Sequence, residues 1–344
     1  MKTYRIRAVL MLMLFVGMMT SCGDWDFPVD NGGGNGGGDN DNNNLSNDPD
    51  GQMITVTNGQ YDLRARLYIP EGDGPFPAVV IMHGCGGLWK NNDASAGEML
   101  NQYEDWAEIF HSEEEYVALF LDSYSKRHID EFCGINPPND FICSPVFVRN
   151  TDAYAALAYL RELDVVIDNK VALMGFSHGG TATLSTMVDY DYVEKSGNQQ
   201  WRQRAGGVWY NEDNGVMPPA AAPQEGGFVC AVSYYPGCGM FSYYGSIFDH
   251  TSGRYVNYAP ILLNAAELDP LYDNDLNDGI DGRTEVFRKR AVLHGASVQN
   301  GNQVELVVYQ NANHSFDGKN NGADGAANTA AKANTLDFLD DYLQ

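Results

Sequence analysis

Residues 171–181 read Val-Ala-Leu-Met-Gly-Phe-Ser-His-Gly-Gly-Thr, with a Gly two positions before Ser177 and another two positions after it. An apolar, β-prone run leads in, and a segment rich in small residues leads out. That is the pattern of a buried strand turning sharply into a helix. A turn so tight leaves no room for side chains at positions 175 and 179. It lifts the Ser177 hydroxyl clear of the sheet and points the first helical N–H groups at whatever the hydroxyl attacks. Ser177 is therefore the candidate nucleophile, and the elbow predicts a parallel sheet covered by helices.

The rest of the chain agrees with that architecture. Met53–Thr57 and Leu63–Pro70 read as a hairpin over Asn58-Gly59, and Pro77–Met82 as a short buried strand. A helix is expected from Ala96, with Ser95 and Glu98 as a capping box. Tyr116–Leu121 is the next strand, followed by a helix over Thr151–Leu163. Further strands are expected over Val171–Gly175, Phe228–Tyr234, Pro260–Leu263 and Val304–Tyr309, and a last helix over Ala326–Leu343. Strands alternating with helices imply an α/β fold. Residues 189–227 fit no regular element and read as a cap-like insertion.

A Ser hydroxyl needs a base, and the base needs an acid to orient it. His314 lies in Asn311-Ala312-Asn313-His314-Ser315-Phe316, a polar loop after the last strand. Asp269 lies just past the strand Pro260–Leu263, with Glu267 and Asp273 as alternatives. The order Ser177, Asp269, His314 is the order this strand–turn–helix arrangement uses. His83-Gly84-Cys85-Gly86-Gly87 follows another strand and should supply a backbone N–H to an oxyanion. Cys85 is the expected donor and Gly86 its rival, while His178 supplies the second N–H. The His83 side chain is expected to pack structurally, and that of His178 to point away from the reaction.

Taken together, HGCGG, DSYSKR (Asp122–Arg127), GFSHGG, YYPGC (Tyr234–Cys238), ILLNAAELDPL and VVYQNANHSFDG resemble the dienelactone hydrolase family of the α/β-hydrolase superfamily, most closely its exported members. The resemblance covers residues 52–344 apart from the insertion. It implies an α/β-hydrolase fold with a mostly parallel sheet of about eight strands. It also implies a triad of Ser177, Asp269 and His314 cleaving carboxylic esters or lactones. The enzymes that name the family use Cys where this chain has Ser177, so dienelactone itself is not the expected substrate. Ala266 stands where such proteins often carry Gly. Asp122 and Arg127 match a family loop and read as structural. Two other readings stay open: a serine peptidase, and a catalytically silent lipoprotein that binds a glycan or partner. For the last, Tyr234, Tyr235, Tyr243 and Tyr244 could stack on a ring.

Composition narrows the setting. The 344 residues carry 21 Lys+Arg against 46 Asp+Glu, a formal net charge of −25. Such a charge repels phosphate backbones and excludes nucleic-acid binding. Lys2, Arg5 and Arg7 precede the apolar run Ala8–Met19 and then Met19-Thr20-Ser21-Cys22. Residues 1–22 read as a lipoprotein signal peptide and lipobox, with Cys22 lipidated. Residues 23–51, nearly all Gly, Asn and Asp, read as a disordered tether, and 52–344 as the hydrolase domain. The expected location is the bacterial cell envelope, with the lipid at Cys22 the only membrane contact; secretion is the alternative. The expected partner is a small-molecule or glycan ester. No His/Cys spacing suits zinc, so no metal or cofactor is expected. Cys133 and Cys143 could pair locally, and pairings involving Cys85, Cys230 and Cys238 stay open.

Overall fold

The computed structural model describes residues 47–133, 142–191, 203–205, 208–210, 220–237, 255–270 and 304–344. The signal and nearly all of the expected tether lie outside these residues, as do Cys238, Tyr243, Tyr244 and Asp273. Among the described residues no helix is long and apolar enough to cross a membrane.

Eight strands form one sheet in the order β1-β2-β4-β3-β5-β8-β9-β10. They are β1 (Gln52–Thr57), β2 (Asp62–Tyr68), β3 (Phe76–Met82), β4 (Val117–Asp122), β5 (Val166–Phe176), β8 (Ala231–Tyr234), β9 (Ile261–Ala266) and β10 (Val304–Tyr309). β2 runs antiparallel to both β1 and β4, and every other pairing is parallel. The hairpin turns on an Asx turn, in which Asn58 Oδ1 accepts the N–H groups of Gln60 at 2.9 Å and Tyr61 at 2.7 Å.

The central strands are apolar throughout because helices cover both faces. Ala78 to Met82 of β3 and Val117 to Leu121 of β4 are fully buried. On one face pack α2 (Arg149–Arg161) and α3 (His178–Thr186), through residues such as Leu157, Leu160 and Leu184. On the other pack α1 (Asn101–Glu108) and α4 (Gly322–Leu343), through Trp106, Phe338 and Leu339. The sheet and its helical layers are those of an α/β-hydrolase fold.

Three expectations need correction. The first helix begins at Asn101, not Ala96. Asp93 captures the N–H groups of Ser95 and Ala96, closing a turn there, and Glu98 pairs with Lys90 at 3.9 Å. Ser95 and Glu98 therefore form no capping box. The insertion 189–227 contains a small antiparallel ladder of β6 (Gln203–Ala205) and β7 (Val208–Tyr210). Finally, Cys133 bonds to Cys85, with Cα atoms 4.9 Å apart, and not to Cys143. Phe132 N–H donates to Cys85 O at 2.8 Å, which folds residues 131–133 onto the loop after β3. Cys143 is buried beside Tyr124 and Phe132, its thiol 3.7 Å from Ser123 O. Burial pushes that thiol up to about 12.

Candidate active site

Ser177 sits between β5 and α3 at φ 52°, ψ −111°, a left-handed conformation that costs a non-glycine residue about 1–3 kcal/mol. The neighbours force it. A Cβ on Gly175 would overlap Gly179 O and Thr183 Oγ1, and a Cβ on Gly179 would overlap Met82 O. β5, α3 and the end of β3 touch at these two glycines, so the chain has space only for this turn. Ser177 N–H donates to Tyr234 O at 2.9 Å, which ties the elbow to β8.

His314 Nε2 lies 2.9 Å from Ser177 Oγ, and His314 Nδ1 lies 2.7 Å from Asp269 Oδ2. The consistent assignment has Ser177 O–H donating to Nε2 and Nδ1–H donating to the carboxylate. The Asp269 side chain is fully buried, and that of His314 is 22% exposed. The three residues thus meet from three separate strand ends. The loops that carry Asp269 and His314 are zipped together. Glu267 N–H donates to Tyr309 O at 3.1 Å and Leu268 N–H to Ala312 O at 2.9 Å. Glu267, the rival acid, instead accepts the N–H of Asn311 at 2.9 Å. It braces the histidine loop and does not touch the imidazole.

The loop after β3 flanks the serine. A Cβ built on Gly84 would lie 3.7 Å from Ser177 Cβ, and Gly84 N–H donates to Tyr103 OH at 2.9 Å. The N–H groups of Cys85 and His178 have no acceptor among the described residues. His83 is buried, its Nε2 accepting Ser123 N–H at 3.2 Å and its Nδ1 donating to Gly84 O at 2.7 Å. Burial, reinforced by the Arg149 charge, lowers it to about 3, so it stays neutral. The His178 side chain points inward to Arg149 and Tyr124, and burial likewise holds its pKa well below the ordinary range.

Asp122 accepts Trp89 Nε1–H at 2.7 Å and Tyr124 N–H at 2.8 Å, and so shapes the loop beside the site. Arg127 makes a two-pronged buried pair with Asp152, at 2.8 Å on each arm. Tyr234 is core: it stacks on Phe176 and donates to Ala331 O. Tyr235 packs edge-on against the His314 ring at 4.7 Å, and its hydroxyl donates to Asp317. Burial raises Asp317 to about 6.

Sequence reasoning passed over Arg149, Asp152 and Asp317. Each is one polar residue in an otherwise ordinary helix or loop, and nothing local marks it. Among the described residues no three His, Cys, Asp or Glu side chains cluster to hold a metal.

No family model matches the sequence. No curated protein matches it either. Solved structures do match its fold. One is a dienelactone hydrolase-like promiscuous phosphotriesterase from metagenomic libraries, with TM-score 0.50 and 15% identity, covering 85% of this chain and 97% of that one. A Klebsiella pneumoniae protein assigned as a dienelactone hydrolase gives TM-score 0.53 and 15% identity, covering 85% and 98%. An esterase of Thermogutta terrifontis with propionate bound gives TM-score 0.52 and 16% identity, covering 85% and 94%. At such identities the likeness establishes the architecture: the chain has the α/β-hydrolase fold.

Proposed function

We propose that this protein is a serine hydrolase of the dienelactone hydrolase family that cleaves carboxylic esters or lactones through an acyl-enzyme. The observation that carries the reading is the unbroken relay from Ser177 Oγ to His314 Nε2, 2.9 Å, and from His314 Nδ1 to Asp269, 2.7 Å. Ser177 Oγ adds to the carbonyl carbon and its proton passes to His314 Nε2. The former carbonyl oxygen, now negative, faces the N–H groups of Cys85 and His178. Collapse breaks the bond to the leaving alkoxide, which takes the proton from His314. A water then repeats the sequence and frees the acid and Ser177. Asp269 keeps the Nδ1–H tautomer and balances the transient imidazolium.

Esterase activity is named for one of the structures of the same fold. The substrate is a small-molecule or glycan ester, and the enzyme is held in the bacterial cell envelope by a lipid on Cys22. Ser177→Ala should abolish turnover of a short p-nitrophenyl ester, and a fluorophosphonate should label the wild type at Ser177. An unlabelled wild type, or full turnover in Ser177→Ala, overturns the reading. Labelling with a radioactive fatty acid tests the anchor: absence of label on the wild type removes it.

A further inference from the structure

Arg149, the first residue of α2, is wholly buried in a protein with a surplus of acids, yet it has no carboxylate partner among the described residues. Asp152, one turn on, is taken by Arg127. Among the described residues the Arg149 guanidinium contacts only neutral groups. Nη1 donates to His83 O and to His178 Nδ1, each at 2.8 Å, and Nε donates to Ser123 Oγ at 3.2 Å. Tyr124 lies under the guanidinium, its ring centroid 5.4 Å away, and Nη2 has no partner among the described residues. Burying a cation without a counter-charge is expensive. Such a cost is tolerated where an anion forms during function.

The placement says which anion. His178 carries one of the two proposed oxyanion N–H donors, and His83 leads the loop that carries the other at Cys85. Arg149 bonds to both residues from behind. Resting on the hydrolase reading above, we propose that Arg149 is a positioning residue for the oxyanion. It clamps the two donor segments together, and its buried charge makes the site favour the tetrahedral anion over the neutral ester. Because the low-dielectric interior screens this charge weakly, the effect falls on the transition state and spares substrate binding.

The test compares Arg149→Met, Arg149→Lys and His178→Ala with the wild type, using p-nitrophenyl acetate and an alkyl boronic acid. The boron accepts the Ser177 oxygen, the hydroxyl proton moves to His314, and the adduct is a tetrahedral anion. For Arg149→Met, kcat should fall by about thirtyfold, KM should stay within about twofold, and boronate affinity should drop by a factor similar to kcat. Arg149→Lys, which keeps the charge, should recover most of both. If Arg149→Met does not fold, as judged by thermal melting, His178→Ala carries the test. It removes the Nη1–Nδ1 link, keeps the backbone donor, and should weaken boronate more than it raises KM. Unchanged kcat, or a loss in kcat and KM with boronate affinity intact, overturns the proposal. Fluorophosphonate labelling of the wild type separates the two levels. A labelled wild type with an indifferent Arg149→Met sinks only the role of Arg149, whereas an unlabelled wild type sinks the hydrolase reading.

Discussion

The two walls of the Ser177 site are built differently. The wall of Cys85, Asp122, Arg127, Cys133, Arg149 and Asp152 buries its four charged residues and is tied by a disulfide, a two-pronged ion pair and hydrogen bonds to charged groups. The opposite wall, Glu267–Asp269 and Asn311–Asp317, is held by a short backbone zipper and by braces from Glu267 to Asn311, Asp324 to Asn313 and Tyr235 to Asp317, and its histidine is partly open to solvent. The difference matches the work assigned to each. Donors aimed at an oxyanion must not reorganise when charge appears, so a stiff, cross-tied wall suits them. A base that receives a proton and passes it on needs access to the substrate and to water. One wall thus spends stability on charge placement, and the other keeps its chemistry in a few side chains.

Mutations on each side should then fail differently. On the base wall, Asp269→Asn should lower kcat on the order of a thousandfold or more while melting changes little, because the wrong tautomer is presented to Ser177. Steady-state kinetics beside a melting curve checks this, and near-normal kcat would move the acid elsewhere. On the oxyanion wall, Asp152→Asn should cost about 3–5 kcal/mol of stability by stranding buried Arg127, read as a lowered urea midpoint. If that variant melts like the wild type, the stiffness of this wall has another source. Cys133→Ser should cost about 2–4 kcal/mol, since the bridge closes a long loop with a sequence separation of 48, and should lower kcat several-fold through Cys85. A loss of stability with kcat untouched would detach the disulfide from the oxyanion donor.

Glu267→Gln is a smaller perturbation. It keeps an acceptor for Asn311 N–H, so kcat should stay within a few-fold, against the collapse expected for Asp269→Asn. Equal losses would mean that both acids act on His314. The mildest effect is on pH. His83 falls from 6.5 to about 3 on folding, and His178 shifts in the same direction. The unfolded chain therefore binds more protons in that window, and stability present above pH 6.5 is lost as pH falls towards 3. Asp317, raised to about 6, works in the opposite sense, its contribution being lost as pH rises through 6. Melting temperature should drop on acidification, less steeply in His83→Gln and more steeply in Asp317→Asn. Parallel pH curves for all three proteins would place the titration elsewhere.

Legibility followed the range of the interaction. The hairpin, the buried strands and the elbow were readable because alternation, apolar runs and paired glycines are local constraints. β10 was expected over Val304–Tyr309 and occupies those residues. The start of α1 was missed because Asp93 captured the Ser95 hydroxyl and the N–H groups of Ser95 and Ala96 in a turn of its own, a local alternative that propensity alone does not resolve. The partner of Cys133 was missed for a different reason. Cys85 is 48 positions away in sequence, and only the approach of two loops made it nearer than Cys143.

The sequence by itself determined the alternation of strands and helices, the elbow at Ser177, and the order in which an acid and a base follow it. Those features are written in neighbours along the chain. The tertiary structure alone decided that His314 reaches Ser177, that Asp269 and not Glu267 faces its imidazole, and that Glu267 braces Asn311. It also placed Arg149, with no carboxylate partner among the described residues, against His83 and His178. Contacts between residues tens of positions apart depend on how layers pack, and burial turns an ordinary arginine into a charge whose placement matters.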